Sequence, residues 1–101
     1  MENASQVICI GSVLWDIVGR TDTHPGLGGD VGGRIRRLPG GVAMNIAMTL
    51  TRAGVQPILL SSVGQDAEGE DLVVRAETMG METRFLYRPN DLRTDIYMAI
   101  E

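Results

Sequence analysis

The sequence predicts an α/β fold, a βαβ core with a small outlying β-sheet, and three observations predict it. Two short apolar runs, Gln6 to Val13 and Pro57 to Val63, have the length and near-continuous hydrophobicity of strands in a parallel sheet. Between them, Gly41 to Gly54 carries Val42, Ala43, Ile46, Ala47, Leu50 and Ala53 at spacings of three and four, the period of a helix with one apolar face. The stretch from Val18 to Gly41 is dense in glycine and holds Pro25 and Pro39, which disfavours a packed helix and favours loops and short strands.

The first run closes on Gly11-Ser12, and its apolarity suits a strand covered on both faces in the middle of a sheet. Ile17, Gly19 and Thr21 then alternate with Val18 and Arg20, and Arg34 to Leu38 is a second stretch of mixed faces, so two outlying strands are expected. The helix from Gly41 stops at Gly54, a residue suited to the left-handed position after a last turn. Only Val55 and Gln56 precede the second apolar run, so strand, crossover, helix and strand close as a βαβ unit. Gly64 to Gly69 reads as a polar turn. Glu70 to Met79 reads as a second helix, with Leu72, Val73, Ala76 and Met79 on one face and Gly80 at its end. Thr83 to Arg88 and Thr94 to Ile100 mix β-branched and aromatic residues with polar ones and read as two strands, with Pro89-Asn90-Asp91 as the turn between them.

At 101 residues and 44% hydrophobic content the chain can bury one core, and one domain or one piece of a domain is the ceiling. Nine basic against 13 acidic residues, a formal charge of -4, provide no surface for a nucleic-acid partner. All nine basic residues are arginine, which removes Schiff-base and P-loop lysine chemistry. Cys9 is the sole cysteine and lies inside Val7-Ile8-Cys9-Ile10, where it reads as a small buried hydrophobe; no intrachain disulfide or cysteine metal cluster can form. Met1 to Gln6 has no basic leader and the apolar stretch behind it is too short to span a bilayer, so a cytoplasmic protein without a membrane partner is expected. His24 beside Pro25 reads as a loop residue, with no second histidine to make a metal site.

The sharpest local feature is Pro39-Gly40-Gly41-Val42-Ala43-Met44-Asn45-Ile46-Ala47, a diglycine leading into a helix with an amide in its first turn. Glycines there let a ligand approach the backbone, and a helix N-terminus offers unpaired N–H groups. The amide of Asn45 is both donor and acceptor, as neighbouring hydroxyls require. Asp16 follows the first strand near its carboxyl end, where ligands of open α/β sheets sit, and a carboxylate is a natural acceptor for a vicinal diol. Tyr97, Met98 and Ile100 could meet a sugar or base, but as strand residues they are expected to be packed. Arg34, Arg36 and Arg37 could steer a phosphate, and are expected instead as solvated charges on a sheet edge.

Asp16 after a first strand, the run from Gly40 to Ala47, and Ser62-Val63-Gly64-Gln65-Asp66-Ala67-Glu68-Gly69 resemble, in order and spacing, the first signature of the ribokinase-like PfkB carbohydrate kinases, over nearly the whole chain. The diglycine run looks more like the pseudouridine-kinase-like branch than like ribokinase itself, whose loop carries a lysine after the glycines. The resemblance implies the N-terminal part of a three-layer α/β/α sandwich with a small β lid, the lid strands near 17–38 and 83–101. It implies that Asp16, Gly40, Gly41 and Asn45 bind the acceptor sugar or nucleoside. Asp66 and Gly69 would shape the turn into the next helix. It also implies ATP and Mg²⁺ as cofactors of the parent enzyme, and a homodimer joined through the lid. The family's second signature, a Gly-Ala-Gly-Asp-type motif that provides the catalytic base, has no counterpart in these residues; Asp30 after Gly28-Gly29 has no helix behind it. The 101 residues are therefore expected to be the sugar-binding portion, without the C-terminal ATP-binding half and without a catalytic residue of their own. A dinucleotide-binding oxidoreductase is rejected, because the first strand-to-helix turn lacks Gly-x-Gly-x-x-Gly. A non-catalytic sugar- or nucleoside-binding module built on the same fold is the alternative.

Overall fold

The computed structural model describes residues 6–21 and 33–100. Along these the chain forms β1 (Val7–Ile10), β2 (Leu14–Thr21), β3 (Gly33–Gly40), α1 (Val42–Arg52), β4 (Pro57–Leu60), α2 (Ala67–Thr78) and β5 (Ile96–Ile100). The two apolar runs pair in parallel, Val7 opposite Pro57 through Ile10 opposite Leu60, and α1 connects them as the spacing predicts. Residues four apart on a helix share a face. Ala43 and Ala47 are accordingly buried in one core with Cys9 and Leu59, joined by Leu72 and Ala76 of α2, but the buried face is rotated from the one expected: Val42 and Ile46 are exposed and Met44 is buried instead.

Among the described residues nothing covers the opposite face of this main sheet. Ile8 is 56% and Ile10 70% exposed, and Ile8 lines an open groove with Ile58, Leu60 and Phe85. The expectation of a strand covered on both faces is thus corrected: α1 and α2 feed a single core, and no described element lies on the other side. Nor is β1 in the middle of the sheet; β4 is its one strand partner among the described residues. Beyond β4, Glu82 bridges to Ile58 and Tyr87 to Ser62, with Glu82 N donating to Pro57 O at 2.8 Å and Tyr87 N to Ser61 O at 2.9 Å. Thr83 to Arg88 therefore belongs to the main sheet and is not an outlying strand. A turn closed by Leu86 N on Thr83 O at 3.1 Å breaks the alternation, and Met81 and Leu86 anchor the segment in the core.

The outlying sheet has the order β3-β2-β5, with β2 antiparallel to β3 and parallel to β5. It starts earlier in sequence than the alternation at Ile17 suggests, because Trp15 anchors it. The indole is 1% exposed, donates from Nε1 to the Glu68 carbonyl at 2.8 Å, and lies beneath the Arg37 guanidinium, 3.9 Å from the ring centre. Arg37 also reaches Asp71 at 3.4 Å; like Arg34 and Arg36 it is exposed on the edge strand β3, as expected, and it additionally covers the indole. Beyond Trp15 the sheet projects. The Cα radius of gyration is 16.6 Å, against about 13 Å for a compact domain of this length.

Helix α2 begins three residues before the expected Glu70 because Asp66 caps it. Asp66 Oδ1 accepts from Gly69 N at 2.9 Å, while Thr94 donates to the same carboxylate through its hydroxyl and, at 2.9 Å, its backbone N–H. One side chain thus satisfies a helix end and fixes the segment that enters β5. Arg88 makes a second strap, donating to the carbonyls of Val63 and Gly64 and pairing with Glu70 at 2.6 Å. The hydroxyl and N–H of Thr94, more than the N–H of Gly69, hold the Asp66 carboxyl below the usual carboxylate range, against the opposing effect of burial.

A depressed folded-state pKa means that the stabilisation is complete above the ordinary aspartate value of about 3.9 and is lost as pH falls through the lower folded value. Asp66→Ala is expected to lower unfolding stability at pH 7 by about 1–2 kcal/mol. Asp66→Asn should show a flatter dependence of melting temperature on pH below about pH 4 than the wild type. Thermal melts at stepped pH check both.

Candidate functional site

Side chains alternate across a strand, so burying Trp15 on one face of β2 sends Asp16 to the other. Asp16 lies inside β2, not in the loop after β1 as expected, with Leu38 of β3 and Tyr97 of β5 as its two lateral partners. Its carboxylate leans over Gly40; a Cβ at that glycine would run into both Oδ2 and Cγ of Asp16. Asp16 and Gly40 are thus brought into direct contact. Gly41 follows as the N-cap of α1 with φ 95, a conformation that side chains other than glycine rarely adopt, and a Cβ there would strike the carbonyl and hydroxyl of Ser12.

Ser12 changes the chemistry of the helix end. Its Oγ accepts from Val42 N at 2.9 Å, and its carbonyl accepts from Ala43 N at 3.1 Å and Met44 N at 3.4 Å. The unpaired N–H groups expected at this N-terminus are therefore already bound by the protein, and the expectation that they receive a ligand is overturned. Sequence reading missed Ser12 because a cap is sought just before the helix, where Pro39-Gly40-Gly41 has no side-chain acceptor, whereas the actual acceptor lies 30 residues away. The only local signal was the closure of the first apolar run on Gly11-Ser12.

Asn45 is exposed in the first turn of α1, its own N–H donating to Gly41 O at 2.8 Å. Neither its side-chain amide nor the half-buried Asp16 carboxylate has a hydrogen-bond partner among the described residues, and the two do not bond to each other. They flank the same diglycine. Tyr97 and Met98 are each 63% exposed, which corrects the expectation that they are packed; the register sets Tyr97 on the Asp16 face and Met98, one residue on, on the other. His24 and Asp30 lie outside the described residues.

These groups do not fit a nucleoside triphosphate with its metal. Ser12 takes the N–H groups of α1, Asp66 caps α2, the chain has no lysine, and no three His, Cys, Asp or Glu side chains cluster among the described residues. Burial instead pushes the Cys9 thiol up, away from the reactive thiolate. What the described residues set beside the diglycine is a carboxylate, an acceptor of hydrogen bonds, and an amide that both donates and accepts.

The family model for pfkB family carbohydrate kinases matches residues 4–101. The chain belongs to this family. It is 33% identical over 81 residues to the pseudouridine kinase of Escherichia coli, covering 80% of this chain and 26% of that protein. It is 28% identical over 94 residues to mouse ribokinase, covering 92% of this chain and 29% of that one. Among solved structures, a carbohydrate kinase from Agrobacterium tumefaciens superposes with a TM-score of 0.79 at 27% identity, over 94% of this chain and 31% of that one. The fold is therefore ribokinase-like, and the chain spans between a quarter and a third of the length of these PfkB relatives. No helix among the described residues is long and apolar enough to cross a membrane.

Removing the Ser12 hydroxyl leaves Val42 N–H at the helix end without its acceptor. Ser12→Ala is expected to lower stability by about 1 kcal/mol and to speed amide exchange at Val42 more than at mid-helix positions. Hydrogen exchange followed by NMR or mass spectrometry reads the difference.

Proposed function

We propose that the protein carrying this chain is a kinase that transfers the γ-phosphate of ATP to a hydroxymethyl group of a furanose sugar or nucleoside, pseudouridine first among them. This chain supplies the groups that orient the acceptor. The observation that carries the proposal is the Asp16 carboxylate, set over Gly40 at the foot of α1 without a partner among the described residues. Two neighbouring hydroxyls are donors that such a carboxylate accepts in charge-assisted bonds, and the amide of Asn45 can both donate to and accept from the same pair. Gly40 and Gly41, lacking side chains, let the Asp16 carboxylate and Ser12 close in on the foot of α1. The relatives named as a pseudouridine kinase and a ribokinase support the choice of acceptors.

In this proposal the projecting β3-β2-β5 sheet is a lid that excludes water, so that the sugar and not solvent receives the phosphoryl group, and it joins two subunits. ATP and Mg²⁺ are held by a C-terminal half that completes the three-layer sandwich. The bare face around Ile8, Ile10 and Leu60 offers the apolar surface for its packing.

The test is ADP release by the longest natural polypeptide that carries this chain, with pseudouridine, ribose, fructose and adenosine as acceptors. Turnover is expected with at least one of these. Asp16→Ala and Asn45→Ala should each lower kcat/KM for that acceptor by about 10- to 100-fold with the melting temperature little changed. Turnover by either variant at the wild-type rate overturns the proposed site, and acceptor binding without any ADP release replaces the kinase with a binding module.

A further inference from the structure

Tyr97 is the one aromatic side chain that the described residues place on the Asp16 face of the outlying sheet. In the parallel register of β2 and β5 it stands directly opposite Asp16, and strands so paired lie about 4.8 Å apart. Leu38 flanks Asp16 on the other side, in the antiparallel register with β3. A tyrosine in a sheet ordinarily buries most of its ring against a neighbouring layer, yet this one is 63% exposed, and Asp16 beside it is half-buried. The pleat turns Trp15, the ring that does pack, to the opposite face. A flat apolar surface therefore adjoins a carboxylate with free acceptor capacity.

A ligand whose hydroxyls bind that carboxylate has its remaining bulk over this strand. The geometry points to Tyr97 as a specificity-determining contact that selects a nucleoside over the free sugar, its ring stacking on the planar base while Asp16 holds the hydroxyls. This rests on the proposed role of Asp16 in binding the acceptor. Base-on-aromatic stacking needs the π-face of the ring and not the phenol oxygen. Phenylalanine should thus substitute for Tyr97 and a branched aliphatic side chain should not.

In the longest natural polypeptide carrying this chain, Tyr97→Leu is expected to lower kcat/KM for pseudouridine by about 5- to 100-fold, chiefly through KM. Its kcat/KM for ribose should stay within about twofold of the wild type, and Tyr97→Phe should keep both near wild-type values. An unchanged melting temperature of Tyr97→Leu excludes a fold defect. Equal losses for nucleoside and ribose, or no loss for the nucleoside, overturn the inference, as does a wild type that phosphorylates the free sugar and no nucleoside. The last result leaves the kinase reading standing. A wild type that phosphorylates neither overturns that reading, and this inference with it.

Discussion

The burial of Trp15 is the constraint on which the site depends. Its indole closes the junction between β2 and the start of α2, with a hydrogen bond on Glu68 and a guanidinium above the ring. Because side chains alternate along a strand, a slip of one residue would exchange the faces of every side chain in β2. Trp15 therefore decides that Asp16 faces Gly40, and through the cross-strand registers it decides which residues of β3 and β5 stand beside that carboxylate. A packing residue with no chemistry of its own sets the orientation of the residues that have it.

A second set of ties works at a distance from the candidate site. Asp66 joins the N-terminus of α2 to Thr94, two residues before β5 begins, and Arg88 joins the carbonyls that end the β4 segment to Glu70. Both straps hold segments that lead toward the projecting sheet. The sheet is thus anchored at its base by Trp15 and Thr94, both buried, while its outer residues remain exposed. The packing of this sheet is thus graded, firm at the root and light farther out.

Much of the architecture was legible because it is written in local periodicity. The apolar runs at Val7 and Pro57, the helix spacing from Val42 and the stops at Gly54 and Gly80 required no knowledge of distant contacts. Where reading failed, the deciding partner was remote in sequence. Residues 83–88 alternate like a lid strand, but backbone pairing with β4 and the burial of Leu86 draw them to the main sheet. Arg37 is the exposed edge-strand charge that the sequence suggests, but nothing local announces that Trp15 lies beneath it. The bare face of β1 fails for the converse reason: an apolar run announces that it can be covered on both sides, not that the covering element is in the same 101 residues.

The diglycine shows the same division inside the site. Sequence alone suggested that both glycines admit a ligand to the backbone of a helix N-terminus, and the structure gives each a different task. Gly40 lacks a side chain so that the Asp16 carboxylate can occupy the space over it; Gly41 adopts a positive φ and lets Ser12 reach the first three N–H groups of α1. The first N–H groups of the helix are consequently satisfied from within. The foot of α1 therefore presents no free row of N–H donors, the feature that favours a phosphate, but a carboxylate and an amide. One serine placed three residues before Trp15 thus satisfies the start of α1, and the same chain segment that anchors the outlying sheet also sets which groups are left beside the diglycine.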